Sequence, residues 1–231
     1  ITTKQGRAGK VSISYDGYFG VQNVYKMAPL LNAQEYAMIM NEGRMMDGAH
    51  PYDFSSMVPN WDKIESGEWK GTNWLDESRN KDAPTQNHAI NIIGGTDRSV
   101  YSVGFAYTSQ EGIIGKPVAR EYDRYTFRLN TEHILIKYKD LDILKFGENM
   151  NYAYKEYSGA DGIDDIYWND IHNLLTGCPF MPLYGANNDY YGTADFRADN
   201  YSWDTATPNP IGLIYYTRGH NLSKNHDMRL N

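Results

Sequence analysis

The sequence predicts an all-β chain forming part of an antiparallel transmembrane β-barrel, with long loops and one short helix outside the sheet. Three observations predict it. Segments of alternating apolar and polar residues recur along the 231 residues. Their polar sides are mostly small, amide or Arg residues, which suits a wet lumen better than the Lys- and Glu-rich exterior of a soluble sandwich. The connections between them alternate short and long, as periplasmic turns and extracellular loops do in membrane barrels.

The first strand is VSISYDGYFGV, Val11 to Val21, in which Val11, Ile13, Tyr15, Phe19 and Val21 alternate with Ser12, Ser14 and Asp16. Period two over such a stretch marks a strand with one apolar face. Ile90 and Ile92 about Asn91 mark the second, and Tyr101 to Thr108 the third. Arg124 to Asn130 gives the fourth, Lys145 to Tyr154 the fifth, and a sixth begins near Leu222. Over the first five, the apolar side carries one charge, Glu148; the other carries Asp16, Arg124, Arg128, Glu132 and Lys145. Asp16, Arg124, Arg128, Asn130 and Glu132 are the expected lumen-facing residues.

Gly95-Thr96-Asp97-Arg98 and Tyr138-Lys139-Asp140 are the short links. The long connections run over about 22–86, 111–121 and 155–221, and fall at the other end of the strands. In the first of them Asn32 with Glu35 three residues on reads as a capping box opening a helix to about Met46. Its methionines, Met38, Met40, Met45 and Met46, read as packing filler.

Composition narrows the function classes. A formal charge of −7 with no basic block argues against nucleic acid as partner. No apolar run approaches the roughly 18 residues of a membrane helix, which leaves a strand-built span open. One cysteine, Cys178, excludes a disulfide scaffold and a multi-thiolate metal site, and it reads as a small buried filler. No G-x-S-x-G, P-loop or dinucleotide glycine pattern is present, and no enzyme activity is expected. No cofactor or metal is expected either: the Asp-rich stretches Asp161 to Asp165 and Asp195 to Asp204 lack the EF-hand spacing for Ca²⁺, and no histidine pair has metal spacing.

All five tryptophans, Trp61, Trp69, Trp74, Trp168 and Trp203, lie in the two longest loops, with Tyr167, Tyr184, Tyr190, Tyr191 and Tyr201 around the last two. Flat rings stack on sugar faces while neighbouring Asp and Asn bind hydroxyls. Trp168, Trp203, Tyr191, Asp189 and Trp74 are therefore the ligand-binding candidates. The competing explanation is that a long loop needs its own small aromatic core or a partner-contact surface.

Taken in order, ITTKQGRAGKVSISYDGYFGVQ (1–22), TQNHAINIIGGTDRSVYSVGFAYTSQEGIIG (85–115), YDRYTFRLN (122–130) and GENMNYAY (147–154) resemble the SusC/RagA family of TonB-dependent outer-membrane transporters. The resemblance covers roughly residues 1–155. It implies a barrel of about 22 strands around an N-terminal plug, with residues 1–10 as the last plug strand and 11–231 as the first five to six barrel strands. It further implies a SusD-like surface lipoprotein as partner, TonB engaging an N-terminal part beyond this stretch, and import of an oligosaccharide or a peptide across the bacterial outer membrane. Ala89 and Ile93 depart from the pattern, standing on the lumen side where the family more often has polar residues, and point to contact with a plug surface. Five or six strands cannot close a membrane barrel, so the native molecule is expected to extend past Asn231. The alternative is a soluble, surface-exposed β-sandwich that binds glycans; a structural adhesin is a third.

Overall fold

The computed structural model describes residues 6–119, 121–158, 169–192, 195, 203, 209–218 and 222–231. Six strands, β1 (Gly9–Gln22), β2 (Ala83–Gly95), β3 (Ser99–Glu111), β4 (Glu121–Tyr138), β5 (Leu141–Ser158) and β6 (Leu222–Leu230), form one sheet in sequence order, each antiparallel to the next. β1 begins at Gly9, and residues 1–5 lie outside the described part.

The short links are tight. Between β2 and β3 the Thr96 hydroxyl oxygen accepts from the Arg98 and Ser99 N–H groups, at 3.3 and 3.2 Å. Gly95 takes φ +155, and a Cβ there would collide with the Ser99 carbonyl. Between β4 and β5 only Lys139 and Asp140 intervene, with Lys139 in the left-handed region at φ 52. Both links sit at one end of the sheet and all three long connections leave from the other, as the sequence predicts.

β4 and β5 run further than their alternation suggests. Beyond the His133–Phe146 pair the hairpin continues to Tyr138 and Leu141, past the end of β3. Here Ile134, Leu135, Ile136, Ile143 and Leu144 make both faces apolar, and the register shifts twice, between 134 and 137. A stretch without two-faced character and with bulges shows no period of two, yet its backbone ladder still forms.

The first and third long connections fold together. The first contributes α1 (Ala33–Met46), α2 (Phe54–Met57), α3 (Trp61–Glu65) and α4 (Trp74–Glu77), the third α5 (Asp170–Thr176) and α6 (Pro210–Arg218). The expected capping box is present: Asn32 Oδ1 accepts from Glu35 N and Glu35 Oε2 from Asn32 N, both at 2.9 Å. Their shared core comprises Ala33, Ala37, Phe54, Val58, Ile64, Trp74, Leu75, Leu174, Phe180, Met181, Ile211 and Ile214 with their neighbours. Backbone bonds tie the two together: Thr72 N–H donates to the Pro179 carbonyl at 3.0 Å and Trp203 N–H to that of Met57 at 3.0 Å. The β3–β4 connection is stitched on by Gly115 N–H donating to the Ser78 carbonyl at 2.8 Å.

Candidate functional site

Register sorts the sheet into two faces. On one, cross-strand rows read Ile13–Ile92–Val103–Leu129–Met150–Leu230 and Tyr15–Ile90–Phe105–Phe127–Tyr152–Met228. These rows are uncovered: Ile13 is 69% exposed and Phe105 48%. Towards the loop end the next row becomes aromatic, with ring centroids 4.9 Å apart for Tyr107–Tyr125, 6.1 Å for Tyr125–Tyr154 and 4.9 Å for Tyr154–His226. Its phenols turn polar atoms upward: Tyr107 donates to Asp123 at 2.8 Å and Tyr154 to Glu156 at 2.5 Å. An aromatic row with a wet edge is what a headgroup interface selects. From this row to the His133–Phe146 pair this face, apolar but for Glu148 opposite Thr131, runs about 27 Å along the strands, or about 20 Å of height at a barrel's usual tilt, close to an outer-membrane apolar band.

The opposite face reads Ser14–Asn91–Gly104–Arg128–Asn151–Arg229 and Asp16–Ala89–Ala106–Thr126–Ala153–Asp227. Asp16, Arg124, Arg128, Asn130 and Glu132 all lie on this face, with Glu132 paired to Lys145 at 3.6 Å. Ala89 and Ile93 share it.

The loop candidates do not assemble into a stacking platform. Trp74 is 1% exposed and its Nε1–H donates to the Cys178 carbonyl at 3.0 Å. Trp203, 8% exposed, sits edge-on to Tyr36, Tyr52 and Phe180 and tilted on Phe54, with centroids 5.1–6.4 Å away. Tyr191, 5% exposed, is held by its N–H donating to the Leu183 carbonyl at 3.1 Å. These three rings are core, and the ligand-stacking expectation is corrected for them: they are buried within the loops' own core. Trp168, Tyr167 and Tyr201 lie outside the described residues, as do the Asp residues of both acidic stretches apart from Asp195, whose Oδ2 accepts from Gly192 N–H at 2.7 Å. Burial lifts the Cys178 thiol to about 11 and the Tyr36 phenol to about 12, so both stay protonated and serve as packing.

Asp189 is exposed, on the turn where Gly185 N–H donates to its carbonyl at 2.8 Å. Beside it the chain gathers a different aromatic surface. Tyr190 lies 5.2 Å from Tyr184, 5.3 Å from Tyr215 and 6.1 Å from Tyr216, and the last three are exposed. Tyr215 and Tyr216 escape the sequence reading because they ride on α6. The signal was there in NPIGLIYY: Asn209 caps α6, its Oδ1 accepting from Ile211 and Gly212 N–H at 3.1 and 3.0 Å, and Pro210 follows at the first helical position. Exposed phenols grouped beside a carboxylate can stack on a ring and bind its hydroxyls or amides.

A two-faced antiparallel meander with all long connections at one end has the layout of a transmembrane β-barrel's wall. No protein-family model matches the chain. It is 25% identical over 211 residues to the TonB-dependent receptor SusC of Bacteroides thetaiotaomicron, a match covering 91% of this chain and 18% of that protein. The fold matches that of the RagAB peptide transporter, with a TM-score of 0.59 at 17% identity over 91% of this chain and 25% of that one. The RagAB peptide importer in its open-open state gives 0.57 at 19% identity over 81% and 22%. The chain is thus similar in sequence to one stretch of the TonB-dependent receptor SusC and in fold to the RagAB transporter, and it spans about a fifth of the length of its curated relative.

Proposed function

We propose that this chain walls part of an outer-membrane importer that takes up a nutrient oligomer, an oligosaccharide or a peptide, by TonB-driven transport. The observation that supports it most is the uncovered apolar belt backed by a polar face, with the folded loops gathered at one end. The loop end faces outside and receives cargo from a SusD-like surface lipoprotein, with the Tyr184, Tyr190, Tyr215 and Tyr216 group beside Asp189 as first contact. The polar face then lines the route past a plug whose displacement, pulled by TonB, opens it. No covalent chemistry is required, and the residues bind, orient and release.

The alternative, a soluble glycan-binding sandwich, needs a second sheet over the apolar rows, whereas the six strands form a single sheet and those rows stay exposed. Fractionation of cells making the full-length protein tests the proposal. The protein is expected to remain in the outer-membrane pellet through carbonate washing and to leave it only with detergent. Uptake of a labelled oligomer by the same cells should collapse when a protonophore removes the proton gradient. Release without detergent, or uptake indifferent to the gradient, contradicts the proposal.

A further inference from the structure

On the polar face, register sets Arg124 of β4 directly opposite Lys155 of β5, and Arg128 four residues along β4 on the same face, opposite Asn151. Directly opposed residues hold their Cβ atoms about 5 Å apart, and like charges there repel. The other charges of this face are satisfied or remote. Glu132 pairs with Lys145 at 3.6 Å and Asp227 with Arg229 at 3.7 Å. Asp16 stands in β1, three strands or about 14 Å from β4. Asp123 and Glu156, the chain neighbours of Arg124 and Lys155, point to the other face, where Asp123 takes the Tyr107 hydroxyl and Glu156 that of Tyr154.

Among the described residues Arg124, Arg128 and Lys155 make no ion pair. Arg124 Nε is moreover buried without a hydrogen-bond partner. A guanidinium with an orphaned N–H, set against an ammonium, is destabilised until an anion arrives, and a carboxylate suits the fork of donors that arginine offers. We propose that Arg124, Arg128 and Lys155 form an anion site for a carboxylate of the imported oligomer, so that the cargo is acidic. The proposal rests on the import reading and deepens it.

Position favours cargo over the chain's own upstream segment as the source. Arg124 and Lys155 lie three residues from the loop-side ends of β4 and β5. The segment preceding β1 arrives at the other end, where Gly9 pairs with Gly95 and Gly6 rests on the Tyr101 backbone. Thr108, the partner of Arg124, is eight residues beyond Val100, which pairs with Gly95, or about 27 Å along β3.

The test uses purified full-length protein and two probe pairs, a glutamate-rich hexapeptide against its glutamine isostere and an oligogalacturonate against neutral oligogalactose. The wild type is expected to favour the acidic member of one pair by about tenfold at low salt, with the preference shrinking as salt rises. The triple variant Arg124→Gln, Arg128→Gln, Lys155→Gln should bring that preference below about twofold with the neutral probe unaffected, and Arg128→Gln alone, at an exposed position, should reduce it about threefold. Indifference of the wild type to charge, or a preference that survives in the triple variant, overturns the site. Unchanged probe binding with a lowered thermal midpoint of the ligand-free variant assigns the carboxylate to the chain itself and overturns the cargo. An acidic preference in a protein released from cells without detergent keeps the anion site and removes the import reading instead.

Discussion

Replacing Leu129 with arginine in the full-length protein is expected to abolish stable insertion. Leu129 lies in the middle row of the apolar face, flanked across the ladder by Val103 and Met150. A cation at barrel mid-depth costs about 2–4 kcal/mol on the lipid side, because it gives up its water there. The same charge one residue on, Asn130→Arg, lands on the polar face and should be tolerated. The check is the amount of folded protein in the outer membrane, read as the band that shifts on heating in gel electrophoresis. Leu129→Arg should deplete it severalfold and Asn130→Arg should leave it near wild type. Equal loss for both means that the two faces do not differ in environment.

Trp74→Ala is expected to destabilise the folded loop unit by about 3–5 kcal/mol, the range for deleting a large buried ring. Trp74 is closed to solvent on all sides, its indole N–H anchors the Cys178 carbonyl, and Gly177 lies so close that any Cβ there would strike the ring at 2.5 Å. Removing it takes away one of the links between the first long connection and the third and leaves a large cavity in their shared core. The loops of the variant should be cut by added protease at the cell surface while the strands stay protected, because the strand ladder does not depend on that core. A variant whose loops resist protease as the wild type does would mean that Trp74 packs against nothing that matters. Trp203→Ala belongs to the same class, since Trp203 sits within the same aromatic group.

The parts legible in the sequence are those written locally. Alternation within a strand, the short links at Gly95 and Lys139, and the Asn32–Glu35 capping box each depend on residues a few positions apart, and the structure reproduces them. What distant segments decide was not legible. Trp74 reads as a stacking candidate until Cys178, 104 residues away, takes its N–H, and Thr72 and Met181, 109 residues apart, close the same core. An aromatic in a loop carries no local mark of which of its faces is free. Burial therefore reversed the expectation for Trp74, Trp203 and Tyr191, while Asp189 stayed at the surface, next in the chain to Tyr190, around which Tyr184, Tyr215 and Tyr216 gather. The hairpin beyond His133 was missed for the opposite reason: its residues are apolar on both faces, so its strands leave no period to read.

The polar face shows how far a local pattern reaches. Asp16, Arg124, Arg128, Asn130 and Glu132 could be put on one side by counting alternate residues, and register places them there. That Arg124 stands opposite Lys155, with its Nε unpartnered, required the pairing of β4 with β5, which no single strand encodes.

The central claim is that the apolar face meets lipid. Spin labels on cysteines introduced at Phe127 and Arg128, adjacent residues on opposite faces of β4, measure it in the full-length protein in bilayers, since Cys178 is buried and resists labelling. The account predicts that the label at 127 collides freely with dissolved oxygen and is shielded from a water-soluble nickel chelate, and that the label at 128 shows the reverse. A label at 127 shielded from both reagents, as under a second sheet, or open to the chelate as fully as 128, contradicts it.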